Sequence, residues 1–182
     1  MAFNKAIPVL LSDTINIPQP GSYQSGSSST GTNTLTTVGA KFKGVFNSAA
    51  TGYSDKVEIG DVVYVDSNST NRPDFITQVS AVVSDEELTL DPPVSGIAAP
   101  YNYKIYRSNG GSNNLLEGNE GYGLLGPFAT NTVINCIPSG QTDSVFIKPN
   151  DTSDLTLENL KIQRVLQTGT VGLDEYGLVA VE

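Results

Sequence analysis

Residues 56–107 set the tightest limit on what this chain can fold into. They read KVEIGDVVYVDSNSTNRPDFITQVSAVVSDEELTLDPPVSGIAAPYNYKIYR, four short apolar and β-branched runs parted by turn residues, with no helical period. Such alternation buries one face of a strand and wets the other, so it predicts a small antiparallel β-module. Val57, Ile59, Val62 and Tyr64 read as one strand interrupted at Gly60-Asp61, a tight-turn or bulge signal. Phe75, Thr77, Val79 and Ala81 alternate with Ile76, Gln78 and Ser80. Leu88 and Leu90 open a strand that Pro92-Pro93 is expected to end. Tyr101, Tyr103, Ile105 and Arg107 alternate with Asn102, Lys104 and Tyr106. Short strands at this spacing predict a small barrel or sandwich.

The rest of the chain divides around that module. VGAKFKGVF supplies Val38, Phe42 and Phe46 as core candidates, which places the barrel-like module at residues 38–107. Residues 1–37 read as an extended N-terminal arm. A strand-like apolar piece at 7–11 leads through DTINIPQPG into the tract YQSGSSSTGTNTLTT, too polar to offset its own chain entropy. Two readings stand: a flexible linker, or an arm ordered by lying on a neighbouring subunit. For the arm, Pro18 and Pro20 hold the backbone extended, and Ile15 and Ile17 alternate with Asn16 to give an apolar edge suited to strand addition. Ile7, Val9, Leu11, Ile15, Ile17 and Pro18 are then its interface candidates. The Gly/Asn-rich residues 108–123 mark a boundary, and residues 108–182 form a further β-rich C-terminal module with strands expected at 132–137, 144–148, 160–168 and 177–181. LTLENLKIQRVLQ carries helical and alternating spacing together, and its flanks favour strand. The fold class expected is all-β: an antiparallel barrel or sandwich, an extended N-terminal arm and a β-rich C-terminal region.

Composition narrows the function. With 19 acidic against 10 basic residues the net charge is −9. Such a surface repels phosphate backbones and anionic lipid, so neither nucleic acid nor membrane is an expected partner. The apolar fraction of 38% is low for a compact globule, which implies chain that is extended, exposed or covered by a partner. There is no histidine, and Cys136 is the single cysteine, so no internal disulfide forms. Val133, Ile134 and Ile137 around it predict a buried thiol packed as a small apolar group; a catalytic thiol would lack a histidine base. The N-terminal apolar run is short and broken by Pro8, unlike a signal segment, and no stretch approaches the ~20 apolar residues of a membrane span. A soluble product of a reducing compartment is expected.

No motif for chemistry emerges. Asp85, Glu86 and Glu87 read as a solvated turn; a glycosidase pair needs two carboxylates facing across a cleft, and the chain has no Trp to line one. NDTSD at 150–154 has oxygen ligands without the spacing of a calcium loop and reads as an Asx-type turn. Asn68-Ser69-Thr70 and Asn150-Asp151-Thr152 match a glycosylation pattern that only a secreted eukaryotic protein uses, and GNEGYG at 118–123 lacks the Lys of a phosphate loop. No catalytic residue, metal or cofactor is expected. Tyr101, Tyr103 and Tyr106 are either a half-buried strand with hydroxyls at the rim or an interface face.

The order of the pieces carries a resemblance. SDTINIP at 12–18, a Ser/Thr/Gly tract, AKF at 40–42, VEIGDVVY at 57–64, TQVSAV at 77–82, DEELTL at 85–90 and YKIYR at 103–107 resemble small virion structural proteins of tailed bacteriophages, marine and cyanobacterial ones especially. The resemblance covers residues 12–107. It implies a non-enzymatic protein on the capsid surface, made in the host cytoplasm, that cements or decorates the shell. Its partners would be the major capsid protein or other virion proteins, and it would form a homo-oligomer, a trimer fitting a local three-fold axis. A tail, neck or baseplate component is the alternative within that class, a carbohydrate- or receptor-binding module the alternative outside it, and a hydrolase the weakest.

Overall fold

The computed structural model describes residues 6–19, 24–29, 32–47, 52–54, 56–66, 73–95, 97–108, 122–126, 128–149, 161–173 and 178–181. These hold fifteen strands and no helix, so the chain is all-β. In order they are β1 (Ala6–Val9), β2 (Gln24–Ser28), β3 (Thr32–Thr36), β4 (Val45–Asn47), β5 (Gly52–Ser54), β6 (Val62–Asp66), β7 (Phe75–Val82), β8 (Glu87–Val94), β9 (Tyr101–Tyr106), β10 (Gly123–Leu125), β11 (Phe128–Pro138), β12 (Val145–Ile147), β13 (Ile162–Val165), β14 (Val171–Leu173) and β15 (Leu178–Val181). The chain forms two compact units, one of residues 22–107 and one that joins residues 1–21 to residues 108–182.

The unit of residues 22–107 is a curled six-stranded antiparallel half-barrel, ordered β2-β9-β6-β7-β8-β3. Val79, Leu88, Leu90, Tyr101, Tyr103 and Ile105 are buried together on its concave face as their alternation predicts, but β6 contributes Val63 and Val65 to that core, while Val62 and Tyr64, the residues read for this strand, are buried on its other face. Phe42, from the loop after β3, closes this core and is fully buried, its ring 6.3 Å from that of Tyr103. Val57 joins the same core from the segment before β6. β4 and β5 form a separate two-stranded hairpin.

The Ser/Thr/Gly tract is neither a linker nor part of an arm: it supplies β2 and β3, the two edges of this sheet. Those edges approach each other, and hydroxyls bond where a ladder is missing. Ser29 N–H donates to Thr36 O (2.9 Å), Thr36 N–H to Ser28 Oγ (3.2 Å) and Thr37 Oγ1 to Ser27 O (3.0 Å). Smallness is also required. A Cβ on Gly26 would stand 2.7 Å from the Tyr103 hydroxyl, whose ring is itself buried. Gly26→Val is therefore expected to cost about 1–3 kcal/mol by overpacking, and Tyr103→Phe, which removes the struck atom, should restore part of it. Urea unfolding of both variants and the double variant checks this; equal losses with and without the hydroxyl would refute the steric account.

The other unit is built from the N-terminal segment and residues 108–182. β15 lies between β1 and β10, antiparallel to both. Tyr122, just before β10, exchanges two main-chain bonds with Ile162 of β13 (2.8 and 2.9 Å). β13 in turn pairs with the long strand β11, which also pairs with β12 and β14. Leu124, Ile134, Cys136, Ile162, Val165 and Ala180 are buried here.

Several boundaries differ from expectation. The division at 107/108 stands, but no separate arm spans 1–37: residues 24–36 belong to the half-barrel and residues 6–19 complete the C-terminal unit. Val38, read as core, is 85% exposed in a turn. β8 runs through Pro92-Pro93, because β3 shifts register there between Thr32 and Thr34 and asks for no donor at the prolines. Residues 68–70, 109–121 and 150–160, with the glycosylation patterns, most of GNEGYG and the acidic loop, lie outside the described residues.

Candidate functional site

The interface candidates of the N-terminal segment are already engaged inside their own chain. Ile7 and Val9 are buried in β1, and Ile15, Ile17 and Pro18 are buried beyond it; Leu11 is half-buried. Within its own chain the segment is held by the C-terminal residues of its unit: β1 pairs with β15, and residues 12–17, outside any strand, bond the main chain of β13. Ser12 N–H bonds Val165 O (3.0 Å) and Ile17 N–H bonds Gln163 O (2.8 Å), so residues 12–17 line the free side of β13. A polar clip fixes the register. Asp13 accepts the Thr168 N–H (2.9 Å) and hydroxyl (2.7 Å), while Arg164 donates to Asn16 Oδ1 (2.8 Å) and to Asp13 O (2.9 Å). The Thr168 N–H and hydroxyl, reinforced by Arg164, hold the Asp13 carboxyl below its ordinary range.

The tyrosines are not an outward face either. Tyr101 and Tyr103 line the half-barrel interior, and Tyr106 is buried on the opposite face against Tyr64, ring centres 5.0 Å apart. Burial pushes all three phenols above their ordinary value. Cys136 is a buried thiol, as expected, and desolvation raises it to about 11 from an ordinary 9.0. Between those values the unfolded chain releases a proton that the folded chain keeps, so stability must fall as pH rises through that window and be unaffected below it. The buried phenols act in the same direction. Urea midpoints measured from neutral to alkaline pH should decline there; a flat profile would contradict the burial.

The acidic groups have structural work. Asp61 is 3% exposed, accepts the Glu58 N–H (2.8 Å) and is paired with Arg107 Nη1 (2.8 Å). Arg107 Nη2 also donates to Lys56 O (2.6 Å). This knot ties the end of β9 to the Gly60 turn before β6. The acidic turn holds the loop at 37–43: Glu86 Oε1 accepts Gly39 N–H (2.6 Å), Asp85 Oδ1 accepts Lys43 N–H (3.2 Å), and Asp85 O accepts Phe42 N–H (2.9 Å). It is therefore bonded to the fold rather than merely solvated.

What faces solvent is a set of apolar side chains that sequence reasoning did not place on the surface, Val38 and Ile59 having been read as core and strand residues. Val38, Ile59 and Val83 are exposed on the half-barrel unit; Phe146, Val145 and Val171 are exposed on the other. Phe146 is 64% exposed on β12, over the Gly169 turn beside buried Asn135. Among the described residues no helix is long and apolar enough to cross a membrane. Comparison of the chain with protein-family models, curated proteins and solved structures yields no match.

Proposed function

We propose that this chain is a structural virion protein of a tailed bacteriophage, cementing or decorating the capsid by adhesion, without a reactive centre of its own. The observation that carries the adhesive reading is the use of its carboxylates. Asp13, Asp61, Asp85 and Glu86 all close bonds within the fold, to main-chain N–H groups, to a threonine hydroxyl or to an arginine of the same unit. Meanwhile six large apolar side chains face outward, the arrangement of a surface that works by shape and contact. The virion assignment rests on the resemblance of residues 12–107. Because the N-terminal segment is spent within its own chain, adhesion must come from outward surfaces rather than from a free arm. The capsid protein or other virion proteins are the partners this reading names.

Mass spectrometry and cryo-electron microscopy of purified particles of the encoding phage test it. Many copies on the shell are expected. A few copies at the vertex would favour a tail or neck component, and absence from the particle would overturn the reading. A second reading is favoured by Phe146 alone: an exposed aromatic beside Asn135 and the Gly169 turn resembles a carbohydrate-stacking platform. A glycan array probed with the protein and with Phe146→Ser decides it; no bound glycan removes it.

A further inference from the structure

Residues 162–181 hold residues 6–19 as a receptor holds an extended peptide. β1 pairs with β15 from Ala6 opposite Val181 to Val9 opposite Leu178. Ser12 and Ile17 donate their main-chain N–H groups to Val165 O and Gln163 O of β13. Ile7, Val9, Ile15 and Ile17 are buried, while Asp13 accepts the Thr168 N–H and hydroxyl and Asn16 accepts the Arg164 guanidinium. Main-chain bonds give such a groove its affinity, and the side chains between them its selectivity.

The groove recognises these residues and not their connection to it. Its two polar clips join positions 148 and 155 apart in sequence. Residues 15–19 carry no turn, and Pro18 and Pro20 hold the residues before them extended, so the segment leaves the groove extended. Only residues 20–23, PGSY, then lead to β2. A short tether adds no contact of its own; it supplies an effective concentration of about millimolar. A second copy at that concentration presents the same peptide to the same groove. The segment is also electrically neutral, with one Lys and one Asp in residues 1–21, so it meets no net repulsion from a chain that is acidic elsewhere.

We propose that the groove along β13 and β15 takes residues 6–19 of a second copy, two copies exchanging segments to form a closed dimer. Both grooves stay filled and every bond described above is kept, so the exchange is isologous and uncovers no apolar surface. Four buried aliphatic side chains must leave one groove before they enter the other. Exchange is therefore slow, and a dimer once formed outlasts dilution. This goes beyond the adhesive reading and stands without it: it joins copies to one another, whereas the outward surfaces meet other partners.

A disulfide trap on the full chain tests it. Pro8 and Val179 stand opposite each other in the β1–β15 register, Pro8 exposed and Val179 half-buried, a spacing a disulfide can bridge. Chains carrying Pro8→Cys are mixed with chains carrying Val179→Cys, held for days at about 1 mM, and oxidised. Mass spectrometry should find residues 8 and 179 linked between two chains, at least tenfold less so after the same treatment at about 10 μM. Cys136 is buried and stays out of the reaction. The double variant Pro8→Cys/Val179→Cys, oxidised at about 10 μM, should close the link within one chain. Locked in this way it should sediment as a single chain at about 1 mM, while the parent rises toward two. No 8–179 link between chains overturns the proposal, as does a parent that remains a single chain at about 1 mM, or a locked chain that associates as the parent does.

Discussion

Arg107→Ala is expected to destabilise the half-barrel by about 3 kcal/mol, the low end of the ~3–5 kcal/mol that breaking a buried ion pair costs. Asp61 is 3% exposed, and once the guanidinium at 2.8 Å is gone its carboxylate still accepts the Glu58 N–H within the turn. The low end applies because Arg107 is 36% exposed, so water replaces part of what it provided. The bond to Lys56 O (2.6 Å) is lost as well, and with it the tie between β9 and the segment that carries Ile59. Arg107→Lys keeps a charge but not the two-armed geometry, and should cost about 1 kcal/mol. Adding Asp61→Asn to Arg107→Ala removes the charge that has lost its guanidinium and should return part of the loss, a coupling that a double-mutant cycle in urea measures. A loss below about 1 kcal/mol for Arg107→Ala would mean the pair is mere surface decoration.

That pair shows where sequence reasoning stops. Asp61 and Arg107 stand 46 positions apart, and nothing local distinguishes them from other charged residues at strand ends. The strands around them were legible because their chemistry is local: in β7, β8 and β9 one face is buried against the core, so apolar residues recur with period two, whereas β6 is a continuous apolar run buried on both faces. β2 and β3 were not, because their small polar residues are set by the distant hydroxyl of Tyr103 and by the seam between sheet edges. The N-terminal segment was half legible. The alternation of Ile15, Asn16 and Ile17 announces an apolar edge, and both isoleucines are buried in their own unit, with Ile17 N–H bonded to Gln163 O of β13. Which sheet it joins is decided by contacts from Asp13 and Asn16 to Thr168 and Arg164, some 150 residues away. The outward apolar residues were hidden for the opposite reason: Val38 and Ile59 look like core until the turns at Gly39 and Gly60, both at positive φ, rotate them into solvent.

Removing residues 1–19 should have the largest effect of any change considered: loss of the unit containing residues 108–182, with the half-barrel of residues 22–107 retained. Ile7, Val9, Ile15 and Ile17 are each 7% exposed or less. At about 1.5–3 kcal/mol per buried aliphatic side chain, the four contribute roughly 6–12 kcal/mol, comparable with the whole ~5–15 kcal/mol stability of a domain. The deletion also strips the pairing of Ala6–Val9 from β15, uncovers the main chain of β13 and removes Asp13 and Asn16, leaving Thr168 and Arg164 without those partners. None of the strands in the half-barrel contributes to those contacts, and its own core lies wholly within residues 35–105. Amide exchange resolves the two outcomes: protection should vanish along β11, β13 and β15 and persist along β6, β7 and β9. A free arm waiting for a neighbouring subunit would be deleted without cost to either unit. Full protection of β13 and β15 in the truncated chain would therefore restore that picture, and with it a role for Ile7, Ile15 and Ile17 between subunits.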